Sequence, residues 1–157
     1  MNACVFVYGS LRPEFANPMS RWLSSHSTSL GMGWIEGFLY DLGDYPGLIM
    51  KGHPPFTKVI GTVMRLKTKV VSRVLSRLDE YEHVQTHASE EAEYFRKRVT
   101  VMMNGGTCQT AWVFIYMRSI EGLRRIESGD YVQYCMEQDP SRFTRMDRLV
   151  PPDETWG

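Results

Sequence analysis

A short apolar run that stops at Gly9-Ser10 is the feature of this chain that most constrains its fold. Residues 5–8 combine β-branched and aromatic side chains, which is typical of a buried strand, and the Gly-Ser pair indicates a tight turn at its end. Gly9 has no Cβ, so the backbone can lie close to another group there. Consecutive N–H groups in such a turn can bind an anion, but taken alone the pattern favours a purely structural turn.

Length and charge narrow the classes of protein to which the chain can belong. Its 157 residues suit a single domain over 1–157. The 18 basic and 18 acidic residues cancel, so charge gives no reason to expect binding to nucleic acid or to an anionic membrane. No apolar run reaches the roughly 18 residues of a membrane span, and no secretory signal pattern is present. We expect a cytoplasmic monomer or homodimer.

The cysteines do not indicate a metal site or a disulfide framework. Cys4, Cys108 and Cys135 are odd in number, far apart and without CxxC spacing. We therefore expect three reduced, buried thiols and no bound metal.

Apolar periodicity elsewhere predicts several strands and a few short helices. Asn17-Pro18 has the residue types of a helix N-cap and first helical position, and Thr68 is expected to cap a second helix ending near Tyr81. Gly37 interrupts an apolar strand, which indicates a bulge or a close approach of the backbone. Strands are expected over residues 5–8, 32–40, 48–50, 58–66, 94–103 and 107–117.

The two longest strands are predicted to form a hairpin rather than a βαβ unit. Asn104-Gly105-Gly106 is a strong hairpin signal between them. Ser128-Gly129-Asp130 is expected to cap a last helix, and a polar tail from about residue 140 is expected either to wrap the surface or to be mobile. We predict an α+β fold in which a small mixed sheet curls into a barrel flanked by short helices.

One carboxylate falls where the second helix should carry an apolar residue. At about 100° per residue, Glu82 lies about 20° from Val71 in the apolar stripe, whereas Glu80 lies on the opposite side. Burial raises the pKa of a carboxyl group, which tunes a glutamate for proton transfer near neutral pH. A salt bridge to Arg96 or Arg98 would lower the pKa instead, and the pattern alone favours neither arrangement.

Other catalytic patterns are missing from the sequence. It contains no Gly-x-Ser-x-Gly elbow, Walker loop, HExxH or GxGxxG motif. Ser10 follows a glycine, but the four histidines stand in polar or turn-like segments and are expected at the surface. No cofactor is therefore expected.

Six ordered blocks resemble the γ-glutamylcyclotransferase-like (AIG2-like) family, up to roughly Met136. The resemblance implies a small mixed barrel with flanking helices. It also implies an enzyme, an acyltransferase or lyase, acting on a small-molecule γ-glutamyl substrate whose own α-amine attacks the γ-carbonyl, closes 5-oxoproline and expels the other amine. The blocks are Val7–Arg12, Leu39–Gly47, Leu78–Glu82, Tyr94–Val99, Ala111–Tyr116 and Ser128–Tyr131.

The resemblance also implies roles for particular residues. Glu82 would be the general acid and base, and the Gly9-Ser10-Leu11 turn would hold the substrate carboxylate through backbone N–H groups. Tyr8 would border that pocket, Tyr116 could supply a hydroxyl, and Arg12 would neutralise nearby charge or hold the loop.

Three departures from the family pattern concern the mouth of the pocket. His83 stands where many members have glycine, and Pro13-Glu14-Phe15 replaces a glycine-containing turn. The segment Glu90-Glu91-Ala92-Glu93 makes the approach to Tyr94 acidic. The identity of the substrate is thus left open. The alternative that the protein is a non-catalytic ligand-binding or stress-response module of the same fold also stays open. A substrate joined to a carrier or a peptide crosslink would differ only in its leaving group.

Overall fold

Five strands close into a small barrel in the part of the chain that the structure describes, residues 3–81 and 93–143 of a computed structural model. Three short helices and two further strands flank this barrel, which confirms the predicted α+β class. The elements are β1 (Cys4–Val7), α1 (Pro18–Ser25), β2 (Ser27–Asp41), β3 (Pro46–Ile49), β4 (Thr57–Leu66), α2 (Val71–Tyr81), β5 (Tyr94–Met103), β6 (Cys108–Tyr116), β7 (Arg124–Arg125) and α3 (Tyr131–Gln138), with 3-10 turns at Thr68–Val70 and Pro140–Phe143.

The barrel runs in the order β2, β4, β1, β6, β5 and back to β2. Its β1–β6 contact is parallel and the other contacts are antiparallel. Closure occurs where Gly33 pairs with Met103 and Trp34 with Met102. A Cβ on Gly33 would lie 2.6 Å from the Met102 carbonyl oxygen, so only glycine fits at this closure. The far end of β2 carries β3 and β7 outside the barrel.

Strand β2 is longer than its apolar pattern predicts. It begins at Ser27, which is buried and pairs with Leu66 of β4, so the polar first residues belong to the strand because they pair with β4. The register shifts next to Gly31, whose φ is +107°, and the bulge lies there. Gly37 is instead the predicted close approach, since a Cβ there would lie 2.8 Å from the Ile49 carbonyl oxygen.

The helix starts are partly as predicted. Asn17 caps α1 by accepting a hydrogen bond from the Ser20 N–H. The predicted Thr68 cap is wrong, because Lys67 is the residue before the helical segment and makes no side-chain cap bond. Thr68 instead opens a 3-10 turn that leads into α2.

Two apolar clusters hold the fold together. One fills the barrel and continues under α3, and the other lies outside the barrel beneath α1 and α2. Cys4 and Cys135 are buried in the first cluster as predicted, whereas Cys108 is exposed at the start of β6, and all three thiols are free. The 3-10 turn at Pro140–Phe143 fastens the chain after α3, because the Phe143 ring stacks on Phe15 at 4.8 Å.

Candidate active site

The turn after β1 is held by β3. The Arg12 N–H donates to the Gly9 carbonyl at 3.0 Å, which closes the turn. A Cβ on Gly9 would lie 2.6 Å from Cγ of Pro46, so the ring of Pro46 is the group that approaches the backbone here. Asn17 adds a second support, because its Nδ2 donates to the Ser10 carbonyl at 2.8 Å while its Oδ1 caps α1.

A narrow cavity lies against this turn. Its volume of about 20 Å³ gives room for about one water-sized group. Four of the residues predicted to bind substrate, Tyr8, Gly9, Ser10 and Leu11, line it together. The described lining consists of residues 6–11, Tyr45, Pro46 and Phe114.

The tyrosine of the turn serves as a wall of the cavity. Tyr8 is buried, and its hydroxyl donates to the Phe114 carbonyl at 2.7 Å. This bond joins the end of β1 to β6, and both of the residues that it connects line the cavity.

Arg12 lies behind the turn in the protein interior. It is 1% exposed, and its guanidinium donates to Asp130 at 2.8 Å and to Glu14 at 3.1 Å. The same Asp130 carboxylate accepts the N–H groups of Val132 and Gln133 at the start of α3. These contacts favour the loop-holding role among the two roles that the sequence left open.

Tyr116 is not among the residues that line the narrow cavity. Its ring packs edge-on against Tyr94 with centroids 5.5 Å apart, and it borders a separate groove rather than the narrow cavity. Burial raises the pKa of the Tyr116 hydroxyl, and so does the Glu93 charge, against the opposite effect of Arg118. The hydroxyl is therefore protonated at neutral pH and can donate a hydrogen bond.

A partly buried tyrosine–glutamate pair next to the cavity was not predicted from the sequence. Tyr45 lines the cavity, and its hydroxyl donates to Glu93 at 2.7 Å, with Glu93 only 7% exposed. Tyr94 adds a bond from its hydroxyl to the Pro46 carbonyl at 2.8 Å. Tyr45 and Tyr94 both stand in the blocks on which the resemblance rests, which was the available signal. Glu93 stands at the end of the acidic segment Glu90-Glu91-Ala92-Glu93, and nothing in that segment distinguishes Glu93 from the other glutamates.

Glu82 lies outside the described residues, as does His83, so the inward direction of this glutamate stays a prediction. The helix before it follows the predicted phase, since Val74 and Leu78 are fully buried. Arg96, one proposed partner of Glu82, binds Asp79 through Nε at 2.9 Å and through its terminal nitrogen at 3.2 Å.

Residues 3–81 and 93–143 contain no group of three histidine, cysteine or acidic side chains placed to hold a metal ion. Among the helices described, none combines the length and the apolar character that crossing a membrane requires.

A small closed barrel with a polar turn at the end of its first strand defines a class of protein that is already known. The family model for "Gamma-glutamyl cyclotransferase, AIG2-like" matches residues 5–133. The γ-glutamylcyclotransferase family protein YtfP of Escherichia coli K12 is 33% identical over 129 residues, which cover 82% of this chain and 95% of YtfP. The chain belongs to the γ-glutamyl cyclotransferase, AIG2-like family.

Solved structures agree with this assignment. The solution NMR structure of ytfP from Escherichia coli matches with a TM-score of 0.55 and 30% identity, covering 83% of this chain and 97% of that one. A crystal structure of a mouse aig2-like protein matches with a TM-score of 0.61 over 98% of this chain and 97% of its own. At 22% identity the mouse protein shows a shared fold.

Proposed function

We propose that the protein is a γ-glutamyl cyclotransferase. The substrate's α-amine attacks its own γ-carbonyl carbon, so that a C–N bond forms within the glutamyl group and the original γ-amide C–N bond breaks. The products are 5-oxoproline and a free amine, and no water is consumed. Because the nucleophile belongs to the substrate, the protein has to position the chain, move protons and hold the α-carboxylate.

The observation that carries this proposal is the shared cavity of residues 8–11. Residues 7–11 of the family's first block line one narrow space at the end of β1, and that space has room for a single small group. A glutamyl α-carboxylate is such a group, and backbone N–H groups of a turn are suited to bind it. Family membership supports the same reaction class.

Each proposed residue has a defined task. Glu82 takes a proton from the α-amine and delivers one to the departing nitrogen. Tyr116 donates its hydroxyl to the substrate, and Arg12 keeps the turn in place from behind. Glu93 orients the Tyr45 hydroxyl beside the cavity.

A panel of γ-glutamyl dipeptides, γ-glutamyl amines and glutathione tests the proposal, with release of 5-oxoproline measured by mass spectrometry. We expect turnover of at least one compound. Glu82→Gln should keep the fold and lower the rate by about a thousandfold or more, because removal of a general acid and base typically costs factors of 10²–10⁴.

Glu80→Gln is the matched control, since Glu80 pairs with Arg77 at the surface of the same helix. It should retain full activity. Full activity of Glu82→Gln would contradict the mechanism, and a large loss in Glu93→Gln alone would move the proton transfer to Glu93. Binding of these compounds without turnover would support the non-catalytic module.

A further inference from the structure

A second, larger depression opens between the end of β3 and the start of β5, with β6 at its base. We call it the β3–β5 groove. Its volume is about 460 Å³, within the range of about 300–1,000 Å³ that is usual for small-molecule sites. The cavity at the Gly9 turn is far smaller and suits only one small group, so the body of a substrate held there must lie elsewhere.

The groove and the cavity border the same two strands. Pro46 on β3 and Phe114 on β6 line the cavity, whereas Ile49 and Tyr116 on those strands line the groove. Phe114 and Tyr116 are two residues apart on β6, a span of about 7 Å, which is also the length of an extended dipeptide. A substrate with its α-carboxylate in the cavity can therefore reach the groove past Tyr116.

The groove is apolar because the barrel is open at this point. β5 pairs with β2 only at Met102 and Met103 among the described residues, so the first half of β5 is paired with β6 on one edge and not with β2 on the other. Phe95 lies on the same face of β5 as the buried Val101, yet it is 38% exposed in the groove, and Met117 is 54% exposed beside it. Exposed large apolar side chains that line a depression mark a binding surface.

The charged residues that line the groove are all cations. Lys51 and Lys97 form no ion pair within residues 3–81 and 93–143. Arg118 lies 4.0 Å from Glu93, so that part of its charge is compensated. The groove thus suits a molecule with an apolar body and a carboxylate.

We infer that the β3–β5 groove binds the leaving half of the substrate and selects γ-glutamyl amino acids with a large apolar side chain and a free carboxylate. This inference rests on the proposed function. The apolar side chain contacts Phe95 and Met117, and the carboxylate of the departing amino acid lies near Lys51 and Lys97. γ-Glutamyl amines that lack this carboxylate are the disfavoured class.

Three compounds separate the contribution of the carboxylate to binding from that of the apolar side chain. The reference compound is γ-glutamyl-leucine. γ-Glutamyl-3-methylbutylamine lacks only the carboxylate of the leaving half, and γ-glutamyl-glycine lacks the apolar side chain. Calorimetric binding to Glu82→Gln and turnover by the wild-type protein are measured in parallel. We expect each of the two truncated compounds to bind about tenfold more weakly than γ-glutamyl-leucine.

The double variant Lys51→Gln/Lys97→Gln should abolish the preference for the carboxylated compound and raise KM while leaving kcat within about twofold. Lys69→Gln, an exposed lysine in the 3-10 turn before α2, is the matched control and should leave the preference intact.

Equal binding of the three compounds, no detectable binding, or an undiminished preference in the double variant would overturn the groove assignment, whatever the turnover. Preferential binding of γ-glutamyl-leucine without release of 5-oxoproline would instead overturn the proposed reaction and leave the groove assignment standing.

Discussion

Arg12 and Asp130 are 118 positions apart in the chain, yet a hydrogen bond of 2.8 Å joins them. Arg12 ends the turn at the candidate site, and Asp130 caps α3. One carboxylate thus connects the first turn of the chain to its last described α-helix. The Gly129 backbone completes the arrangement by accepting the Ile60 N–H from β4 at 2.8 Å.

Replacing Arg12 with methionine should destabilise the protein by about 2–4 kcal/mol, because the change leaves carboxylates without their buried partner. Urea unfolding measures this loss. Arg21→Met, at an exposed position in α1, is the control and should change stability by less than about 0.5 kcal/mol. A similarly small effect at Arg12 would show that the ion pair does not hold the turn.

From the sequence, only the two ends of this connection could be predicted, each as a separate motif. Both the Gly-Ser turn and the Ser-Gly-Asp cap could be predicted, because each depends on local backbone chemistry. The burial of Arg12 and its bond to Asp130 could not be predicted. A cation after a turn is usually solvated, and the partner that it binds depends on the folded barrel. The wrong expectation at Thr68 has a local cause, because a 3-10 turn begins at Thr68 and Lys67 is the residue that precedes it.

Ser10→Ala should keep kcat/KM within about twofold, because the role proposed for Ser10 uses its backbone N–H, which alanine retains. Steady-state release of 5-oxoproline measures the effect. Gly9→Ala is the contrasting variant: its methyl group would collide with Pro46, and we expect losses of both activity and stability, the latter of about 1–3 kcal/mol. A large rate loss in Ser10→Ala would give the hydroxyl a direct role.

Arg96→Gln distinguishes the two settings considered for Glu82. Arg96 binds Asp79 through two nitrogens and lies over the Trp112 ring, so its removal should cost about 1 kcal/mol of stability. The pH dependence of kcat/KM should be unchanged. An upward shift of the pKa that governs its acidic limb would show that Arg96 stabilises the charged form of Glu82 after all.

Acid should weaken the attachment of the segment after α3. Burial raises the pKa of Asp41, but hydrogen bonds from Arg142, Tyr134 and Gly43, together with the Arg142 charge, outweigh it and bring the pKa below 3.8. A lowered carboxyl pKa contributes stability that is present above the unfolded value and disappears as pH falls through the folded value.

Thermal unfolding between pH 6 and pH 2 should therefore show a loss of stability below about pH 4 that Asp41→Asn reduces. Asp44→Asn, at an exposed position in the same turn, provides the comparison. An identical acid response in the wild type and in Asp41→Asn would contradict the assignment.

The barrel could be predicted more fully than the site. Alternating and apolar runs identified β1, β4, β5 and β6 to within one residue or so, because these strands are buried on at least one side. The β3–β5 groove could not be predicted, since it results from where β5 stops pairing with β2. Phe95 has the same inward periodicity as Val101, yet only Val101 is covered.

Two residue pairs join β5 to β2 in the described chain, and Gly33 is in one of them. Gly33 and Met103 are 70 positions apart in the chain, so loop-closure entropy opposes the formation of these contacts. The groove lies along the same strand, where β3 and β5 are not paired with each other. A molecule bound across the groove would contact both β3 and β5 and so hold these two strands together. Bound substrate would then slow the local opening of the barrel.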